Sequence, residues 1–220
     1  MIPISIIIPV YNEEKTILKI LSKLSLIKNI SNFEIIVIND GSTDNTAYVV
    51  QEILAKEGEV FRFIKQNNAG AAATRNRGID ETKGQYLIFL DADDEMSPDA
   101  LREYRNHLSK DLIIGMLAGG HLSKSSLGHL KEHAMGHLPD DSKKKLRAYL
   151  LDKTLSLSNG AVAISRKIFE CYRYPENFRA SEDISMFAFI LANFKVVPIN
   201  APLAIINKHN DSLRHNATHA

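Results

Sequence analysis

Two carboxylates stand two residues apart in Asp91-Ala92-Asp93, directly after the apolar run Tyr86-Leu87-Ile88-Phe89-Leu90. If the strand keeps one last extended pleat, both side chains leave on the same side. Side by side they repel, and a hard divalent cation relieves that repulsion while keeping coordination positions for phosphate oxygens and water. Magnesium or manganese carrying a diphosphate is the guest this chemistry suits. Taken alone, the triplet also fits the capping of a following helix or a solvated turn. Asp40, in Asn39-Asp40-Gly41-Ser42, stands beside a glycine that allows a tight turn. Its carboxylate can accept a hydrogen bond from a base ring N–H or a ribose hydroxyl, or it can cap the next helix, a role Asp44 fits better. Glu182-Asp183, by themselves, mark the acidic first turn of a helix.

Short Ile, Val and Phe runs alternate with stretches of helical period, the pattern of stacked βαβ units. Strands are expected over residues 4–9, 33–39, 60–65, 85–90 and 112–117. Helices are expected over 13–26, with Ile17, Leu18, Leu21 and Leu24 inward, over 44–55 and 71–80, and after Ser97-Pro98. The result is an α/β fold with a mainly parallel central sheet buried on both faces. Ligands bind such sheets beyond the carboxyl ends of the strands, where the strand order reverses. An order of 3-2-1-4 would bring residues 10–13, 40–44 and 91–94 to one edge. From 118 to 145 the pattern weakens into Gly, Ser, Lys and His, which reads as an insertion, loop or short helices rather than sheet. Order returns with an extended stretch at 155–165, a short helix at 167–171, a helix at 182–191 and an extended stretch at 196–207.

With 220 residues the chain is expected to form one domain. A net charge of +1 gives no sign of a polyanionic partner, so nucleic acid is not expected. The lone Cys171 allows no internal disulfide and reads as an interior residue, which suits a reducing cytoplasm. No apolar stretch is long enough for a signal peptide or a membrane span, so a soluble, cytoplasmic protein is expected.

The match to a known family is compound. Ser5-Ile6-Ile7-Ile8-Pro9-Val10-Tyr11-Asn12-Glu13 comes first, followed by Glu34-Ile35-Ile36-Val37-Ile38-Asn39-Asp40-Gly41-Ser42-Thr43-Asp44. Asn68-Ala69-Gly70, Arg75-Asn76-Arg77-Gly78 and Phe89-Leu90-Asp91-Ala92-Asp93-Asp94 complete the series. In order and approximate spacing these resemble the inverting glycosyltransferase family 2, of the GT-A nucleotide-diphospho-sugar fold. The resemblance is strong from residue 3 to about residue 100. Beyond that it is patchy, with echoes at Gly160-Ala161-Val162, Ser181-Glu182-Asp183 and residues 209–213.

The resemblance implies a Rossmann-type three-layer sandwich in a single domain over residues 1–220. Residues 1–117 would be the nucleotide-sugar half and 118–220 the half for the acceptor and catalytic base. Pro9, Tyr11, Glu13 and Ala92 would line the donor pocket, Asp40 would contact a uracil-like base and Arg75 the base or phosphate. Asp91 would hold the ribose, Asp93 the Mn2+ or Mg2+ ion, and His209 would complete the metal or diphosphate site. Asp183 would deprotonate the acceptor hydroxyl, with Glu182 contacting the acceptor. The implied activity is transfer, with inversion, from a nucleotide diphosphate sugar, UDP first, to a glycan or lipid-linked acceptor in cell-surface polysaccharide synthesis. A non-catalytic nucleotide-sugar or partner-binding module is the alternative. Processive members carry Gln-x-x-Arg-Trp and membrane helices; this chain has no tryptophan, so one sugar per encounter is expected.

His129, His133 and His137 lie four apart, the spacing of one helical face, yet Gly128, Gly136 and Pro139 argue against a long helix. The reading is a polar surface or acceptor-loop stretch rather than a second metal site. Lys143-Lys144-Lys145 with Arg147 reads as a solvated helix face, and as the first place to look for peripheral membrane contact if the acceptor is lipid-linked.

Overall fold

On the first strand, β1 (Ile4–Val10), Ile4, Ile6, Ile8 and Val10 join one apolar cluster and Ile7 joins another. That two-residue period recurs in β2 (Phe33–Asp40), where Ile35 and Val37 face the first cluster and Ile36 and Ile38 the second. The computed structural model describes residues 4–25, 33–57, 61–108, 114–178 and 181–208. Helices α1 (Ile17–Ser25), α2 (Thr46–Glu57) and α4 (Ala100–His107) supply the first cluster, through Ile17, Leu21, Val50, Leu101 and Tyr104 among others. Helices α3 (Ala71–Glu81), α5 (Ser142–Leu150) and α6 (Glu182–Asn193) supply the second. Two helical layers therefore cover a sheet buried on both faces, as the alternating pattern predicts, and make the three-layer α/β sandwich that the resemblance implies.

Strands β3 (Phe61–Gln66), β2, β1 and β4 (Tyr86–Phe89) are parallel neighbours in the order 3-2-1-4. Beyond β4 the sheet becomes mixed. It continues through β8 (Val162–Ser165), β6 (Met116–Lys124), β9 (Val196–Asn207) and the two-residue β5 (Glu95–Met96). β8 is antiparallel to both β4 and β6, whereas β6 and β9 are parallel.

Several expectations need correction. Residues 118–145 were expected to lie outside the sheet, but β6 runs through to Lys124 and pairs with β7 (Leu130–His133) as a hairpin, before α5. The glycines that suggested a loop are points of close approach. A Cβ on Gly119 would lie 2.5 Å from Leu203, and one on Gly120 would lie 2.7 Å from the His133 carbonyl oxygen. The His129, His133 and His137 spacing does not fall on a helix: His133 sits on β7, its ring stacked 4.8 Å from His121. Cys171 is exposed, not interior. Helix α1 begins at Ile17 rather than at residue 13, and Leu18 faces solvent while Ile20 is buried. Among the described residues no helix is long and apolar enough to cross a membrane.

Candidate functional site

At the carboxyl ends of β1 and β2 two loops are laced together. Asn12, at a positive φ of 53°, donates its N–H to Ser42 Oγ (3.0 Å), and its Oδ1 accepts from the Thr43 N–H (2.8 Å). The Glu13 N–H donates to Thr46 Oγ1 (2.8 Å) and the Asn45 N–H to Glu14 (2.9 Å). Asp44 accepts from the Thr46 N–H at the start of α2 and from the Glu14 N–H. Burial works against its charge, yet these bonds hold its pKa below the ordinary carboxylate value. Asp44 is thus the cap foreseen for it. Pro9, one residue before the end of β1, is half-buried, Tyr11 is 48 % exposed, and Glu13 accepts from the Thr16 hydroxyl in the turn that opens α1.

Asp40 ends β2 with its carboxylate buried in the loop between β3 and α3. Oδ1 accepts from Gln66 Nε2 and the Ala69 N–H (2.8 Å each), and Oδ2 from the Gly70 N–H (2.9 Å). Gly41 follows at φ 70°, and a Cβ there would meet the Asn68 nitrogen at 2.7 Å, so the turn tolerates glycine on two counts. Asp40 therefore organises the entry to α3.

Helix α3 is held hard against the sheet, because the place of a Cβ on Gly78 is occupied by the Ile7 side chain. One turn earlier, Arg75 is buried, its side chain only 6 % exposed. Its Nη2 donates to Asp91 Oδ1 at 2.7 Å and its Nη1 to Glu182 Oε1. Burial opposes the guanidinium charge, but Asp91, Tyr174 and Glu182 outweigh it and hold its pKa above the ordinary arginine value. Both Nη groups are thus engaged by carboxylates, where the resemblance implied a base or phosphate.

Asp91 and Asp93 do not share a last pleat. β4 ends at Phe89, and the Asp94 N–H returns to the Asp91 carbonyl oxygen (3.0 Å), so the pair occupies the first and third positions of a β-turn around buried Ala92. The turn lets the chain fold into β5, which pairs with β9. Asn207, at the end of β9, secures it: its Nδ2 donates to the Asp93 carbonyl oxygen and its N–H to Asp94 Oδ1. Asp183 lies beside Glu182 in the first turn of α6, with Oδ1 accepting from the Ile184 N–H (3.0 Å). His209 lies outside the described residues.

The fold thus joins Arg75, Asp91 and Glu182 directly, with Asp183 following Glu182 in the first turn of α6, and puts Pro9, Tyr11, Glu13 and Asp40 at the same ends of the neighbouring parallel strands. Sequence reasoning missed Asn207 and Tyr174. Nothing in the pattern around either residue marks it, although Asn76, which binds the Tyr174 backbone, lies inside a motif already singled out.

Three comparisons bear on identity. A family model described as glycosyl transferase family 2 matches residues 5–173. An uncharacterized glycosyltransferase of Haemophilus influenzae is 38% identical over 112 residues, which is 50% of this chain and 44% of that protein. The match therefore spans less than half the length of that relative. In fold, the chain is similar to S. aureus TarS in complex with UDP-GlcNAc, with a TM-score of 0.74 at 20% identity over 95% of this chain and 59% of that one. It is also similar to a Pyrobaculum calidifontis mannosyltransferase in complex with GDP-Man and Mn2+, with a TM-score of 0.70 at 16% identity, covering 96% and 59%. Likeness at such identities is likeness of fold, and that fold is GT-A. The extent of the family match, over most of the chain, settles the family: the chain belongs to glycosyl transferase family 2.

Proposed function

We propose that this chain transfers a sugar from a nucleotide diphosphate sugar, with UDP as the nucleotide, to a hydroxyl of a glycan or lipid-linked acceptor in cell-surface polysaccharide synthesis. Transfer proceeds with inversion, one sugar per encounter. The observation that carries the reading is Arg75 bridging Asp91, in the turn beyond β4, and Glu182, at the start of α6. One guanidinium thereby ties a carboxylate beside the family's donor motif to one beside its acidic motif. Residues 1–117 form the donor half and 118–220 the acceptor half of one domain.

In a single displacement the acceptor oxygen bonds to the anomeric carbon as the bond to the diphosphate oxygen breaks, and the acceptor proton passes to Asp183. Glu182, fixed by Arg75, orients the acceptor. Asp91 binds the ribose, Pro9, Tyr11, Glu13 and Ala92 line the donor pocket, and Asp40 shapes that pocket and meets the base. Among the described residues no three His, Cys, Asp or Glu side chains are grouped to hold a metal. The donor set still suits a hard cation, because Asp93 offers carboxylate oxygens on a turn partly open to solvent and phosphate oxygens can complete the shell. Asp93 and His209 would be its protein ligands. The chemistry bound Mn2+ or Mg2+ supplies is neutralisation of charge on the leaving diphosphate.

The test is release of nucleotide diphosphate from a panel of UDP, GDP and dTDP sugars with manganese, using glycan and lipid-linked acceptors, alongside thermal shifts with each donor. Turnover abolished by Asp93→Ala and by Asp183→Asn is expected. Metal-dependent binding without turnover on any acceptor would favour a non-catalytic module. No thermal shift with any nucleoside diphosphate would overturn the donor site itself.

A further inference from the structure

Tyr174 lies outside every motif of the family match, yet it is buried under the centre of the site. Its ring centroid is 5.6 Å from the Arg75 guanidinium carbon. Arg75 Nε, the donor not engaged by Asp91 or Glu182, is buried with no hydrogen-bond partner. Hydrogen bonds therefore hold the guanidinium only at its Nη end, and the aromatic ring is what meets the rest of it.

The ring is itself held from several directions. Phe89 packs edge-on to it with centroids 5.1 Å apart, and Phe169 stacks at 6.3 Å. Asn76, the residue after Arg75, brackets the Tyr174 main chain: its Oδ1 accepts from the Tyr174 N–H (3.0 Å) and its Nδ2 donates to the Tyr174 carbonyl oxygen (2.9 Å). The phenol reaches Asn159 Oδ1 only at 3.4 Å, a long contact. Phe89 is two residues before Asp91, so the ring touches the strand that delivers one carboxylate as well as the arginine that grips both.

We propose that Tyr174 is a positioning residue: its ring, not its hydroxyl, fixes the orientation in which Arg75 holds Asp91 and Glu182, and so sets the spacing between the donor and acceptor sides of the site. A flat ring restricts the guanidinium in a way an aliphatic side chain cannot. Small losses of alignment between reacting groups cost rate without costing ground-state binding. The catalytic part of this inference rests on the proposed transferase activity, whereas the arginine geometry does not.

The experiment compares Tyr174→Phe and Tyr174→Leu in the full chain, with Phe187→Leu as a control. Phe187 is buried on α6 and packs on Tyr149, so its loss weakens the core without touching the ring under Arg75. Tyr174→Phe is expected to keep kcat within about threefold, and Tyr174→Leu to lower it by about tenfold or more with donor KM little changed, the scale of a desolvated cation–π contact. Phe187→Leu should lower Tm while leaving kcat unchanged. Independently of activity, the Arg75 Hε resonance should carry a ring-current shift that persists in Tyr174→Phe and vanishes in Tyr174→Leu. Retained kcat in Tyr174→Leu overturns the proposal, as does equal loss in Tyr174→Phe. If wild-type protein transfers no sugar, the transferase reading fails, and an Arg75 Hε resonance unmoved by Tyr174→Leu would overturn the positioning role on its own.

Discussion

Arg75 on α3 donates to Asp91 beyond β4 at 2.7 Å, and in doing so pins a partly solvent-exposed carboxylate, 38 % exposed, to an interior cation. The same cation holds Glu182, only 12 % exposed, so its removal strands two negative charges of unequal burial. Arg75→Met should cost about 2–4 kcal/mol, below the full cost of breaking a buried pair because Asp91 can turn to water. Urea denaturation of Arg75→Met, Glu182→Gln and the double variant checks this. The double variant should recover part of the loss, and strict additivity would show that the two side chains are not coupled.

Asp183→Asn should abolish transfer by about a hundredfold to ten-thousandfold, the usual weight of a positioned general base. Donor affinity should survive, so UDP with manganese should still raise Tm in Asp183→Asn but not in Asp93→Ala. An equal loss of the thermal shift in both variants would place Asp183 in donor binding instead.

Glu95, on β5, is buried and accepts from Lys19 and Lys23 of α1. Burial raises its pKa, but the two ammonium groups more than offset this and bring it down to about 2, well below the ordinary carboxylate range. A carboxylate depressed on folding contributes stability that is fully present above its unfolded pKa and is lost as pH falls toward the folded value. Tm measured from pH 7 to pH 2 should therefore fall more steeply for wild type than for Glu95→Gln, with the curves converging in acid. Parallel curves would remove Glu95 from the acid response.

Gly78→Ala would drive a methyl into the Ile7 side chain, with Ile38 Cδ1 at 3.2 Å on its other side. Overpacking of about 1–3 kcal/mol opposes the roughly 1 kcal/mol that alanine adds to a helix, so a net loss is expected because β-branched Ile7 has few rotamers to retreat into. Pairing it with Ile7→Ala, which removes the Cγ2 that the new methyl meets, should rescue part of the loss in thermal melts, so that the double variant costs less than the two single changes summed. Failure of that rescue would mean that α3 shifts instead.

The amino-terminal half was legible because its signals are local. Continuous isoleucine-rich runs in β1 and β2, a glycine at 41 and a cap at Asp44 each announce their own conformation, and the order 3-2-1-4, posited to gather the polar loops at one edge, is the order found. The second half depends on partners distant in sequence. Gly119 and Gly120 look like loop residues until Leu203 and His133 arrive against them. The turn at Asp91 is imposed by the pairing of β5 with β9, more than a hundred residues on. Tyr174 escaped for a similar reason, since a lone aromatic says nothing about the arginine it will meet. The grouping of Arg75, Asp91 and Glu182 was readable only as motifs in order, and their mutual ion pairs were not.

The lacing of Asn12 to Ser42 and Thr43, and of Glu13 to Thr46, bears on how this fold can be recombined. Neither loop can be transplanted by itself, because each satisfies backbone donors of the other. A chimaera that imports residues 10–16 from a relative without residues 40–46 inherits unmatched hydrogen-bond partners. For recombination the two loops constitute one cassette.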